Sequence, residues 1–130
     1  MSQPSKTTNI YRSTSIEVRR SPIHGWGLYA TEKIKELDVL EVAPYFLVPV
    51  DELNQAYQCE RYSYPITDLT SLIGHGYAGL YNHSSNPNAA YEIDLIDETI
   101  KHYALRDIEK GEEVTINYGE DNVAYYNLTG

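Results

Sequence analysis

The stretch YNHSSNPN at residues 81–88 decides how this chain folds, together with GEEVTINYG at residues 111–119. Both place Asn, His or Tyr directly against apolar, strand-like runs, at residues 79–80 and 114–116. Polar side chains in such places need hydrogen-bond partners or a ligand. With the GWG run at residues 25–27 they form a three-part signature, which predicts a site.

The composition indicates one folded domain. The chain has 130 residues, 42% of them hydrophobic, which suffices for one modest core and is too little for two. Its aromatic residues are thirteen Tyr against one Phe and one Trp, which fits either a polar aromatic pocket or a core that uses Tyr where Phe would serve. The single cysteine, Cys59, excludes an internal disulfide framework and a cysteine-rich zinc cluster.

The net charge of −9 makes nucleic acid a poor direct partner. Residues 1–20 carry four basic side chains against one glutamate, a local charge of +3, which leaves −12 for residues 21–130. An acidic body attracts basic peptides, although solubility alone also explains such charge. No apolar run is long enough to span a membrane and no signal-peptide core is present, so we expect an intracellular protein, cytoplasmic or host nuclear.

Apolar and polar residues alternate in short runs, which predicts a mostly β fold. One helix is expected over residues 51–64, with Asp51 as its cap and Pro65 as its end. Pro44 is expected to interrupt an extended segment. The predicted strands cover residues 16–19, 26–30, 38–43, 46–48, 89–94 and 99–105 (a hairpin around residues 97–98), and 114–118.

The residues alone point to a site without metal. Asn82 and His83 end an apolar strand, and Tyr118 follows one, where its hydroxyl can face a cleft or the core. A lone histidine in such a place is more often structural than a ligand. The four histidines lack metal-ligand spacing, and Ser84 and Ser85 lack a nucleophile-elbow frame.

Taken in order, the SPIHGWGLYA run at residues 21–30, the NHSSNPN motif at residues 82–88 and the GEEVTINYG close resemble the SET-domain family of protein-lysine methyltransferases. The match covers about residues 14–119. By its size and its lack of cysteine-rich flanks, the chain is most similar to the minimal viral or bacterial members. The resemblance implies several small curved β-sheets, a knot-like C-terminal crossing, and S-adenosyl-L-methionine as methyl donor.

The resemblance also implies roles for the cofactor-binding residues. The backbone around Gly25, Trp26 and Gly27 would hold the methionine part of the cofactor. Asn82 and His83 would contact its amino-acid and adenine portions.

The same family pattern implies a substrate channel. Tyr118 would be the catalytic tyrosine, and Tyr62 and Tyr81 would line the neck between cofactor and lysine. Asn122 takes a channel position where relatives often carry an aromatic residue. Residues 121–130 would complete the channel in place of a cysteine-rich segment.

The sequence thus predicts a flexible tail (1–11), a SET domain (12–120) and a C-terminal segment (121–130). The expected function is methylation of lysine on a basic protein segment, with histone tails among the candidates. A catalytically silent peptide-binding module and a purely structural role for the motifs are the alternatives. Small members of this type can pair through a sheet edge, so a homodimer is a further expectation.

Overall fold

Short strands joined by turns make up most of the fold. The computed structural model describes residues 10–54, 63–118 and 123–126. Its strands are β1 (Tyr11–Arg12), β2 (Ile16–Arg20), β3 (Trp26–Ala30), β4 (Val39–Pro49), β5 (Ser63–Pro65), β6 (Thr70–Gly74), β7 (Asn82–His83), β8 (Ala89–Asp94), β9 (Thr99–Ala104), β10 (Glu113–Ile116) and β11 (Val123–Tyr126). The helices are α1 (Val50–Asn54) and a 3₁₀ helix (Ala78–Leu80). In the described part of the chain, neither helix has the length and apolarity that crossing a membrane requires. The predicted mostly β fold is confirmed.

The larger sheet is organised around the long strand β4. Within the described residues its strand order is β11-β8-β9-β4-β6-β5, and β1 adds to β4. The first half of β4 pairs with β9 and the second half with β6. Strands β8 and β9 form the predicted hairpin, whose turn includes Glu98 at a positive φ of 59°.

The smaller sheet brings the two polar motifs together. Its order in the described chain is β2-β3-β10-β7. Strand β10 pairs antiparallel with β3 and parallel with β7, with Thr115 opposite Asn82 and Ile116 opposite His83. A parallel pair cannot be joined by a hairpin, so a long connection must return the chain to this position. The knot-like crossing stays a prediction.

The core lies where strands of the two sheets pack together. Its fully buried aliphatic side chains include Leu28, Leu40, Ile100 and Ile116. Burial of each such side chain contributes on the order of 1.5–3 kcal/mol. Tyrosines also enter this core: those almost or fully enclosed are Tyr45, Tyr64, Tyr81 and Tyr91.

Two expectations about local structure were wrong. The helix expected over residues 51–64 cannot extend that far, because residues 63–65 form β5 and Tyr64 pairs with Leu72. Burial of Tyr64 in the core outweighs the local helical spacing. Pro65 therefore lies in a strand at the edge of the sheet, where a missing N–H is tolerated. Pro44 does not interrupt the chain, since β4 runs through it to Pro49.

Candidate active site

A cavity of about 540 Å³ opens between the loop before β3, strand β5, the 3₁₀ helix and the end of β10. Six of the residues predicted from the sequence line it: Gly25, Trp26, Tyr81, Asn82, His83 and Tyr118. Its other lining residues are Ile23, His24, Ser63, Tyr64, Pro65, Ala78, Gly79, Leu80 and Tyr91. Tyr62 and Asn122 lie outside the described residues. Residues far apart in the sequence thus meet at one concave surface.

A tight turn presents the Gly25–Trp26 backbone to the cavity. Ser21 donates its amide to the Gly25 carbonyl at 2.8 Å, and Gly25 has a φ of +45°. Glycine adopts this left-handed conformation without steric cost. The exposed Trp26 ring is covered by the Arg20 guanidinium, 4.1 Å from its centroid.

Asn82 ties this turn to the rest of the site. Its side-chain amide donates to the Trp26 carbonyl at 3.0 Å and to Glu113 Oε2 at 2.8 Å, and it lies 3.3 Å from the His24 carbonyl. The residue is only 5% exposed. A buried amide needs such partners. Asn82 therefore fixes the position of the turn relative to β7 and β10.

Glu113 is a site residue to which the sequence analysis gave no role. Its carboxylate accepts hydrogen bonds from Asn82, from Ser21 Oγ at 2.9 Å and from the Tyr29 hydroxyl at 3.1 Å. The available signal was a carboxylate at the start of the apolar run of β10. Glu113 joins three segments behind the cavity wall.

Gly27 lies in this crowded region. A Cβ at this position would collide with Glu113 Oε2 and would lie 2.9 Å from Asn82 Nδ2 and 3.0 Å from Ser21 Cβ. A side chain at this position would force Glu113 or Asn82 to move, so glycine preserves the contact between them.

Tyr118 is anchored to β7 through both its backbone and its side chain. Its amide donates to His83 Nδ1 at 3.0 Å, and its hydroxyl donates to the Tyr81 carbonyl at 2.8 Å. A neutral His83 that accepts at Nδ1 carries its proton on Nε2. The Tyr118 side chain is 48% exposed and faces the cavity.

Asn88, at the end of the first motif, is structural. Its amide nitrogen donates to the Glu113 carbonyl, and its Oδ1 accepts from the Thr115 amide, both at 2.8 Å. It is 2% exposed. Asn88 thus fixes the loop against β10.

A cluster of buried aromatic rings forms part of the cavity wall. The Tyr81 ring stacks on His102 with centroids 3.9 Å apart, and the Tyr64 hydroxyl lies 2.9 Å from His102 Nε2. Tyr64 also packs edge-on against Tyr91 at 4.7 Å. Burial lowers the pKa of His102 to about 3, so the imidazole is neutral. Tyr64, Tyr91 and His102 were not predicted from the sequence, because their spacing in the chain gives no local signal.

These features suit a ligand with a cationic group and a hydrogen-bonding end. Aromatic faces attract cations, and a cavity with apolar walls and a few fixed polar groups is typical of small-molecule sites. Among the described residues, no three His, Cys, Asp or Glu side chains come together as metal ligands.

Residues 25–119 match the family model described as SET domain. The chain is similar to a Schizosaccharomyces pombe histone-lysine N-methyltransferase specific for H3 lysine-37, with 28% identity over 81% of this chain and 74% of that protein. It is also similar to a Neurospora crassa histone-lysine N-methyltransferase specific for H3 lysine-4, with 34% identity over 82% of this chain. It covers only 9% of the length of the Neurospora protein.

Solved structures show the same fold. A Plasmodium falciparum protein assigned as a histone methyltransferase superimposes with a TM-score of 0.70 and 29% identity, over 84% of this chain and 96% of that one. A humanized mutant of Chaetomium thermophilum Polycomb Repressive Complex 2 gives a TM-score of 0.64 and 26% identity, over 82% of this chain and 15% of that one.

Proposed function

Since the chain belongs to the SET-domain family, we propose that it transfers a methyl group from S-adenosyl-L-methionine to lysine in a basic protein segment. The family and the methyltransferase class expected from the sequence are confirmed by relatives with histone-lysine N-methyltransferase names. These names favour the enzyme over a silent peptide-binding module. The observation that carries the proposal is the meeting of the Gly25–Trp26 turn, Asn82, His83 and Tyr118 at one cavity.

The cavity suits the proposed cofactor in size and chemistry. Its volume of about 540 Å³ lies within the range of small-molecule sites. The turn at Gly25 brings backbone polar groups to the wall, and His83 Nε2–H can serve as a donor there. We assign cofactor binding to Gly25, Trp26, Asn82 and His83, which line the cavity, and to Gly27, which adjoins Asn82 behind the wall.

The target lysine must lose a proton before it can attack. With a reference pKa of about 10.4, deprotonation near pH 7 costs roughly 4–5 kcal/mol. The bound cofactor supplies an electrophilic methyl group on a cationic sulfur. Tyr64 and Tyr91, each nearly enclosed, exclude water from the inner wall, and a dry wall disfavours the ammonium form.

Tyr118 is the proposed catalytic residue. Its hydroxyl lies at the cavity and donates to the Tyr81 carbonyl, and a phenolic oxygen is chemically also a hydrogen-bond acceptor for an amine. This oxygen would help to hold the target amine in position for attack on a methyl group supplied by a cofactor in the same cavity. Such alignment can contribute a large part of the rate enhancement without strong base catalysis.

Histones are the substrate class that we propose. The relatives above are named for H3 lysines, and histone tails are rich in lysine and arginine. The acidic chain, with its net charge of −9, complements such a segment. Action on histones would place the protein in a nucleus.

Transfer of labelled methyl from S-adenosyl-L-methionine to core histones and their tail peptides tests this function. We expect label on lysine with wild type, and a loss of about a hundredfold or more in Tyr118→Phe with cofactor binding retained. Tyr11→Phe is a matched control, because Tyr11 has nearly the same exposure (47%) and does not line the cavity.

Failure of wild type to bind the cofactor in calorimetry would contradict the enzyme. Cofactor binding without label on histones or on a wider panel of basic proteins would favour the silent module. Equal turnover in Tyr118→Phe and wild type would remove the assigned role of Tyr118.

A further inference from the structure

Glu41 is a buried carboxylate near the start of β4, where this strand pairs with β9. It is 2% exposed, and a charge in such a place is costly unless its oxygens are hydrogen-bonded. Oε2 accepts the Tyr77 amide at 2.7 Å, and Oε1 accepts the Tyr81 hydroxyl at 3.1 Å. Burial raises the pKa of Glu41, while these two bonds act in the opposite direction. The carboxylate therefore holds both ends of the short turn from Tyr77 to Tyr81.

The turn is shaped to receive this carboxylate. Gly76 has a φ of +63°, and a Cβ there would collide with Glu41 Oε2. The Tyr77 ring lies under the Arg12 guanidinium, 4.2 Å from its centroid, and this cation on β1 opposes the effect of burial on Glu41. Strand β1, strand β4 and the turn thus converge at one point.

The same contacts fix the backbone that meets Tyr118. Tyr81 is held at its hydroxyl by Glu41 and at its ring by His102, which is the partner of Glu41 across β4 and β9. With its side chain fixed at two places, Tyr81 has little freedom to move its carbonyl. That carbonyl accepts the Tyr118 hydroxyl at 2.8 Å.

We propose that Glu41 is a positioning residue, which orients the Tyr118 hydroxyl through the Tyr81 carbonyl. This inference rests on the proposed function. Glu41 does not line the cavity, so it acts on Tyr118 indirectly, through its bonds to Tyr77 and Tyr81. Loss of its two hydrogen bonds lets the turn shift, and the acceptor for the Tyr118 hydroxyl shifts with it. A displacement of about 1 Å at a reacting centre can cost about a hundredfold in rate.

Steady-state methyl transfer by Glu41→Ala, Glu41→Gln and Glu36→Ala tests this role. We expect kcat to fall by about ten- to a hundredfold in Glu41→Ala, with KM for the cofactor nearly unchanged. Glutamine should restore most of kcat, because its oxygen can accept the Tyr77 amide and its NH₂ can donate to the Tyr81 oxygen. Glu36 is an exposed carboxylate, so its variant should match wild type.

Wild-type kcat in Glu41→Ala would overturn the proposal. So would a rise in cofactor KM that accounts for the whole effect, since this would indicate a structural role. If Glu41→Ala does not fold, Tyr81→Phe removes only the hydrogen bond between the Tyr81 hydroxyl and Glu41. The kcat of this variant should also fall. An unchanged kcat would overturn the proposal.

Hydrogen exchange separates this inference from the proposed function. The Tyr118 amide, bonded to His83, should be protected in wild type and Glu41→Gln and should exchange faster in Glu41→Ala. Absence of transfer by wild type would count against the proposed function. Unchanged protection of Tyr118 in Glu41→Ala would count against the positioning role.

Discussion

At the scale of single residues, two carboxylates, Glu113 and Glu41, each accept hydrogen bonds from several parts of the described chain. Glu113 accepts hydrogen bonds from Asn82, Ser21 and Tyr29 behind the Gly25–Trp26 turn. Glu41 gathers the Tyr77 amide and the Tyr81 hydroxyl beneath the opposite wall. Each carboxylate accepts hydrogen bonds from donors that would otherwise be buried without a partner. Each also fixes a segment that borders the cavity. These residues therefore link stability of the fold to geometry of the site.

His102 should make the stability depend on pH. Burial lowers its pKa to about 3, against 6.5 in the unfolded chain, and its Nδ1 has no hydrogen-bond partner among the described residues. Between about pH 6.5 and pH 3, His102 binds a proton in the unfolded state and stays neutral in the folded state. The folded state therefore loses stability as the pH falls from about 6.5 toward 3.

His102→Phe should remove this dependence. Between pH 6 and pH 4, wild type should lose up to about 1.4 kcal/mol per pH unit relative to the variant. Glu41 has the opposite effect on the pH dependence of stability, because its raised pKa means that the folded state binds a proton at higher pH than the unfolded state. Since Glu41 is present in both proteins, its effect cancels in the comparison. Free energies of unfolding in urea at several pH values measure the difference, and parallel curves would contradict the prediction.

At the scale of elements, the site depends on close packing of β3, β7 and β10. Strand β10 begins with Glu113 and ends at Ile116, two residues before Tyr118. Its pairing with β3 and β7 places Glu113 behind the Gly25–Trp26 turn and Tyr118 at the cavity. A shift of one residue would reverse the faces of all its side chains. Asn88 opposes such a shift through its two bonds to β10.

Gly27→Ala should disturb the packing of β3 against β7 and β10. The new Cβ would collide with Glu113 Oε2 and crowd Asn82, so we expect a loss of about 1–3 kcal/mol of stability and weaker cofactor binding. Thermal unfolding and calorimetric titration with S-adenosyl-L-methionine measure the two effects.

Gly111→Asn is a matched control for that change. Gly111 has a φ of +87° and open space around its Cβ position, and asparagine tolerates such backbone better than other residues. This variant should bind the cofactor as wild type does. Equal cofactor affinity in Gly27→Ala would show that the contact behind the turn is unimportant.

Local rules predicted several strands well, but they failed for the helix to residue 64 and for the interruption at Pro44. The strands around Glu17 and Leu28 and the β8–β9 hairpin follow from alternation and turn residues, which act over a few positions. The helix expected to reach residue 64 fails because Tyr64 finds partners distant in sequence, Leu72 across the sheet and Tyr91 in the core. Such contacts leave no periodic trace in the chain.

At the scale of the whole molecule, charge should govern the encounter with substrate. A protein of net charge −9 attracts a basic peptide over distances comparable to the Debye length. That length falls from about 30 Å to about 10 Å between 0.01 M and 0.1 M salt. We expect KM for a histone-tail peptide to rise severalfold over this range, with little change in kcat.

The matched control is a peptide with the same target lysine whose other basic residues are replaced by glutamine. Its KM should be higher at low salt and nearly independent of ionic strength. If both peptides respond to salt alike, attraction by the acidic body is not what recruits the substrate.

The sequence by itself determined the family, the mostly β fold and the three motifs, because these depend on residue identity, short spacing and alternation. Only the tertiary structure decided that β7 lies beside β10 and that Tyr118 meets the Tyr81 carbonyl. It also decided that Glu41 and His102 support Tyr81 from adjacent strands. The physical reason is that such pairings join distant residues, and their free energy comes from burial and hydrogen bonds that exist only once the chain has closed on itself.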